Sequence, residues 1–140
     1  MKRMNATLNN FLAAVDDEND EAAEELVTQL TARDEPALIE LVAGDASSDR
    51  RWWAVRALAV HGTTHAMPVF TTALGDEDDG VRAAAALALA HLHGRDPQAV
   101  TPLLGQLTQL LADDQGMVRQ AATDGLAICG DDAVNALAVT

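Results

Sequence analysis

Hydrophobic positions in this chain fall into short runs with helical spacing, separated by polar turns. Ile39, Val42 and Ala43 stand at i, i+3 and i+4, as do Phe70, Ala73 and Leu74, and again Leu107, Leu110 and Leu111. That spacing marks one apolar face of an α-helix. After each run comes a polar turn and then a second apolar series. In one place it is Val81, Ala85, Leu89 and Leu92; in the next it is Val118, Ala122, Leu126 and Cys129. Nearer the start, Leu8, Phe11, Leu12 and Val15 make a short amphipathic helix, and Ala23, Val27 and Leu30 continue the pattern.

The second series repeats in detail. Segments 49–58, 80–89 and 117–126 align on one another. Each has Arg at its third place (Arg51, Arg82, Arg119), Ala three residues later (Ala54, Ala85, Ala122) and Leu seven later (Leu58, Leu89, Leu126). A glycine closes each one, at Gly62, Gly94 and Gly130, and an Asp lies six residues before each Arg, at Asp45, Asp76 and Asp113. The Arg-to-Arg steps are 31 and then 37 residues. A period of this size marks an array of like units, each unable to bury its apolar face alone. The unit reads as helix, Asp-bearing turn, helix, glycine stop. In the fainter upstream copy Ala23, Val27 and Leu30 fall in register with Ala54, Leu58 and His61, and Asp20 stands where the Arg belongs. Residues 5–18 are expected to form an N-terminal cap helix, 19–43 a degenerate helix pair, and 50–74, 81–111 and 118–138 further pairs, the last truncated. The whole of 1–140 is read as one domain. The face beyond its final unit is open to a second copy or a larger assembly.

Composition narrows the picture. With 140 residues, 49% of them apolar, the chain suits a single folded domain. It has 28 Ala and 3% aromatics, which favours close-packed helices over sandwiches and barrels. Its 22 acidic residues against 9 basic ones give a net charge of −13, a surface that repels phosphate, so no nucleic-acid partner is expected. The lone Cys129 excludes an internal disulfide and any multi-cysteine zinc site. No apolar run reaches the roughly 20 residues of a membrane span, and no signal-peptide pattern opens the chain, so a cytoplasmic protein without a membrane partner is expected.

Catalytic and metal patterns are thin. No Gly-rich phosphate loop, nucleophile elbow or local Ser/His/Asp set occurs. Carboxylates follow turn positions, and Asp16 to Asp20 lacks the Gly of a calcium loop. His61, His65, His91 and His93 lie near helix ends, where the dipole favours a cation. No catalytic residue, metal or cofactor is expected.

Leu74-Gly-Asp-Glu-Asp-Asp-Gly-Val-Arg82, continued through Leu89, resembles the HEAT repeat of the short HEAT-like type named after phycobilisome lyases. Residues 111–126 follow the same pattern with Gln115 and Gly125 as departures, and 43–58 follow it with Ser47 and Arg50 as departures. The resemblance spans roughly residues 19 to 140 and implies an all-α protein, a right-handed α-solenoid of about four helical hairpins. It implies a structural ladder of Asp45, Arg51, Asp76, Arg82, Asp113 and Arg119 along the turns, and a concave face lined by the Arg-bearing helices. The outward positions, one, two, five and nine after each Arg, then include Trp52, Trp53, Arg56, Leu87, His91, Gln120 and Asp124, the candidate partner-binding residues. Trp and Arg are the residue types of interaction hot spots. Trp53 also suits core packing, Trp52 a cover over Ala83 and Leu87, and Arg56 a pair with Glu25. Arg50, Arg51 and Arg56 gather around the two Trp, which points to a protein or peptide partner with acidic character. The resemblance therefore implies a non-enzymatic interaction or scaffold module. It also admits a bilin lyase-like enzyme or chaperone holding a tetrapyrrole, and, against the charge, a glycosylase-like DNA binder.

Overall fold

The computed structural model describes residues 5–133. They form an all-α array without strands among the described residues. In chain order the helices are α1 (Ala6–Asp16), α2 (Asp20–Gln29), α3 (Glu35–Gly44), α4 (Ser48–His61), α5 (Met67–Leu74), α6 (Asp79–Arg95), α7 (Pro97–Val100), α8 (Leu104–Gln109) and α9 (Gly116–Cys129). Local chemistry sets their starts. Asn5 accepts from the Leu8 amide at 2.8 Å, Asn19 from Ala22 at 3.2 Å and Ser47 from Arg50 at 3.2 Å, each satisfying a first-turn donor. Pro36, Pro68 and Pro97 sit in first turns, where a missing N–H costs nothing.

Packing pairs α1 with α2, α3 with α4, α5 with α6, and α8 with α9. Two layers result: α3, α5 and α8 follow one another on one side, and α2, α4, α6 and α9 on the other. This corrects the expected grouping. The ranges 19–43, 50–74 and 81–111 join the second helix of one hairpin to the first of the next. The segment 5–18 contains α1, the first arm of a full hairpin that also packs on α4. Of the last expected pair, residues 134–138 lie outside the described residues.

The core is continuous from Leu8 and Phe11 through Leu38, Leu58, Phe70 and Leu89 to Leu107 and Leu126. The apolar series read from the sequence supply it: Val81, Ala85 and Leu89 are fully buried, as are Val118 and Ala122. Gly125, at a place where the repeat carries Ala, has a packing reason. A β-carbon there would lie 3.0 Å from the Ala86 carbonyl oxygen, so the bare backbone lets α9 close on α6.

At the helix starts runs the Arg–Asp ladder. Arg51 Nε and Nη2 donate to Asp76 Oδ2 and Oδ1 at 2.9 and 3.1 Å, and its Nη1 donates to the Asp45 carbonyl at 2.8 Å. Arg82 does the same one hairpin on, reaching Asp113 at 3.0 and 3.2 Å and the Asp76 carbonyl at 2.8 Å. Each Arg thus holds its own turn by the backbone and the next turn by the carboxylate. Each Asp in addition accepts from the amide two residues on, Ser47, Asp78 or Gln115. Asp45 has no preceding Arg, because Asp20 holds that place. Arg50 takes over: its Nη1 lies 3.5 Å from Asp45 Oδ2 while its Nε donates to Asp16 at 2.9 Å. At the far end Arg119 donates to its own Asp113 carbonyl at 2.7 Å.

A second polar seam ties the opposite helix ends. His61 Nε2 donates to the Val27 carbonyl at 2.7 Å, so the end of α4 caps the end of α2. Arg95, at the end of α6, donates to the carbonyls of Ala59, Val60 and Gly62 at the end of α4. Buried Glu35 accepts from the Thr63 amide and hydroxyl, joining the start of α3 to the turn before α5. Carbonyls at the helix ends thus accept from basic side chains of the neighbouring hairpin.

Removing one partner of a largely buried ion pair leaves the other charge uncompensated. Arg82→Ala is expected to cost about 2–4 kcal/mol, read as a Tm several degrees lower by calorimetry. The Arg82 guanidinium, and next the Gln115 amide, hold the Asp113 carboxyl below the ordinary carboxylate range. A folded value below the unfolded one stabilises fully above the unfolded pKa, about 4, and that stabilisation fades as pH falls through the folded value. Asp113→Asn is therefore expected to lower Tm at pH 7, with the gap to wild type narrowing below about pH 4 in a pH series of melts.

Candidate functional site

On the face of α4, α6 and α9 three repeat positions alternate. Two residues before each Arg stand Asp49, Gly80 and Met117; one after come Trp52, Ala83 and Gln120; five after come Arg56, Leu87 and Asp124. These offsets of three and four residues share a helix face. The large hydrophobic side chains exposed among the described residues, Val60, Leu87, Met117 and Ile128, all belong to these same three helices. Leu87 is 39% and Met117 52% exposed.

Two depressions meet at Trp52. One, of about 390 Å³, runs from Trp52 over Gly80, Ala83 and Ala84 to Leu87, Met117, Gln120 and Asp124. The other, of about 450 Å³, lies between the α1–α2 turn and α4, with Trp52 and Trp53 as its aromatic wall and Glu18, Asp20, Asp49 and Asp78 around it. Small residues in α6 create the first space: alanine at positions 83 and 84, and no side chain at Gly80, whose β-carbon would lie 3.8 Å from Trp52 Cδ1 and 3.4 Å from Asp78 Oδ2. Glu18 sits at φ 57°, in the left-handed region, where the chain turns sharply out of α1 and its amide donates to the Val15 carbonyl at 3.1 Å.

Of the residues expected from the sequence, Trp52, Leu87, Gln120 and Asp124 are brought together in one groove. Gln120 Nε2 donates to Asp124 Oδ1 at 2.9 Å, one turn apart. Trp53 is placed otherwise. It is 8% exposed and packs edge-on against Phe11, with ring centroids 6.3 Å apart, and against Trp52 at 4.9 Å. The same repeat position holds half-buried Ala84 and buried Ala121 in α6 and α9. His91 is exposed but borders neither depression. Met117, Gly80 and Asp49 share one repeat position, two before the Arg, that the sequence reading did not single out; Glu18, Asp20 and Asp78 come from the turns and the degenerate first copy.

The expected basic spot around the tryptophans is not there, because its cations are engaged. Arg50 pairs with Asp16, Arg51 with Asp76, and Arg56 with Glu24 of α2 rather than Glu25. Hydrogen bonds to these carboxylates are the chief reason all three arginines hold their protons more tightly than usual. By contrast, no side-chain hydrogen bond or ion pair engages the carboxylates of Glu18, Asp20, Asp49 or Asp78 among the described residues. The reading of an acidic partner gives way accordingly. Among the described residues no three His, Cys, Asp or Glu side chains are grouped to hold a metal ion. Cys129 is buried, and desolvation, then the charge of Asp132, pushes its thiol pKa up. Such a thiol is a poor nucleophile. Trp52, Trp53, Arg56 and Asp124 do not converge on one site: Trp52 shares one depression with Trp53 and the other with Asp124, and Arg56 borders neither.

Helical hairpins stacked in two layers and laced by a repeating Arg–Asp pair define an α-solenoid. A family model for HEAT repeats matches residues 35–127, and the chain belongs to that family. HEAT repeats generally mediate protein–protein interaction. No curated protein matches the chain. No helix among the described residues is long and apolar enough to cross a membrane.

The two tryptophans differ in accessibility, which fluorescence separates. Trp52→Phe is expected to leave a blue-shifted emission from Trp53 that acrylamide quenches weakly. Trp53→Phe is expected to leave a readily quenched Trp52. Equal quenching of the two variants contradicts the placement.

Proposed function

We propose that this protein is a non-enzymatic interaction module that seats a segment of another protein along the face of α4, α6 and α9, with Trp52 at its centre. The observation that carries the reading is the coincidence of exposed apolar side chains with a groove. Leu87 and Met117 stand open to solvent beside Trp52, over a floor of Gly80, Ala83 and Ala84. Exposed apolar side chains gathered on one face mark interaction surfaces, whereas singly scattered ones do not. A partly exposed Trp in a depression has the character of a hot-spot anchor. The helices beneath are locked at both ends by the two polar seams, so the groove is rigid before a partner arrives and little ordering entropy is lost on binding.

Among the residues expected to bind, Trp52, Leu87, Gln120 and Asp124 keep that role in this proposal. Trp53 supports Trp52 from beneath, and Arg56 fixes α4 to α2. The test is site-specific photocrosslinking in the native host. A photoreactive residue at position 87 is expected to give a discrete crosslinked protein adduct, and one at exposed Thr71, on the opposite layer, none. Adducts at 71 without adducts at 87 would place the interface on the other side of the molecule.

A further inference from the structure

Resting on that reading, the charge distribution specifies the occupant: we infer that the groove takes a protein segment bearing a Lys or Arg side chain next to an apolar one. The basic group enters the pocket between Trp52, Asp49 and Asp78, and the apolar neighbour lies over Ala83, Leu87 and Met117.

Three observations carry this. The two depressions adjoin, sharing Trp52 and Gly80 in their walls, so a segment laid across Trp52 contacts both, and their chemistry differs. The α6–α9 side is walled by Leu87, Met117 and alanines, whereas the α2–α4 side is walled by indole and carboxylate. Next, the carboxylates there make no side-chain hydrogen bond or ion pair among the described residues, although the charge of Asp78 is felt by Arg51. The arginines near them, Arg50, Arg51, Arg56 and Arg82, each already bind another carboxylate, on Asp16, Asp76, Glu24 and Asp113 respectively. Asp78, although at the N-cap of α6, makes no side-chain capping bond, so its carboxylate remains directed at the space above Gly80. Finally, that space has an aromatic on one side and an acid on the other. An indole face and a carboxylate together suit a cation on a long apolar stem, through cation–π attraction and a charge-assisted hydrogen bond. The stem of Lys or Arg packs on Trp52 while its head reaches the acids. A phosphate or an acidic segment is repelled by the same groups, and the net charge of −13 adds to the repulsion. A bound metal ion is a poorer fit, because no three of these carboxylates are grouped to ligate one.

The test is selection of random twelve-residue peptides displayed on phage, performed on the intact protein. Enriched peptides are expected to carry Lys or Arg adjacent to Leu, Met or Phe, and to bind Asp49→Asn/Asp78→Asn about tenfold more weakly, with faster dissociation. Glu40→Gln/Asp131→Asn, the same charge loss at exposed sites that border neither depression, is expected to leave binding unchanged. Leu87→Asp is expected to abolish enrichment while circular dichroism stays helical. If the enriched peptides are apolar or acidic, yet still depend on Leu87, the basic occupant is wrong and the groove reading stands. If enrichment survives Leu87→Asp, the groove itself is the wrong surface. Equal weakening by both double substitutions shows a diffuse charge effect and overturns the pocket assignment.

Discussion

The stacking of the hairpins depends on two shared cations, Arg51 and Arg82. Arg51 and Arg82 each bind the backbone of their own turn and the carboxylate of the next, so neither hairpin can slide or rotate without breaking three hydrogen bonds at once. The side chains of Arg51 and Asp76 are only 10% and 9% exposed, so these charges are held where unpaired ones are costly. Apolar burial drives the layers together without direction. The ladder supplies the direction and sets the register in which Val81 and Val118 meet the preceding helix.

A solenoid locked this way leaves its surface to the outward positions. The second seam, in which His61 and Arg95 cap the neighbouring helix, fixes the other ends of α2, α4 and α6. Between the seams the Ala-rich α6 sits low beside Trp52 and opens the groove. The cations spent on structure also decide the electrostatics. Arginines that look like a basic patch in sequence are neutralised one by one, and acids without a side-chain partner among the described residues lie around Trp52. In a strongly acidic chain, the groove at Trp52 is thereby left lined by indole, alanine and carboxylate.

The architecture was legible in the sequence because it repeats. Arg51, Arg82 and Arg119 with their Asp residues announce the unit three times, and the i, i+3, i+4 runs show both helices of each hairpin. The pairing of Arg56 was one residue off, and the hairpin grouping was out of phase, because a periodic pattern does not say where a unit begins. The site was half legible. Trp52, Leu87, Gln120 and Asp124 follow from helical spacing, but which of two adjacent outward positions is covered depends on what packs there, as α1 does on α4. Trp53 is buried against Phe11 of α1, whereas Met117, two before its Arg, is exposed. The paired state of the arginines was equally out of reach, since Asp16 and Glu24 lie 34 and 32 residues from their partners.

The most direct measurement is a double-mutant cycle on the ladder, with Arg82→Met, Asp113→Leu and the double variant compared by denaturant unfolding. A pair that couples two hairpins is expected to give an interaction energy of about 1–3 kcal/mol, with the double variant losing much less than the sum of the single ones. Additive losses, with a coupling energy indistinguishable from zero, would contradict the account that Arg–Asp pairing holds successive hairpins together.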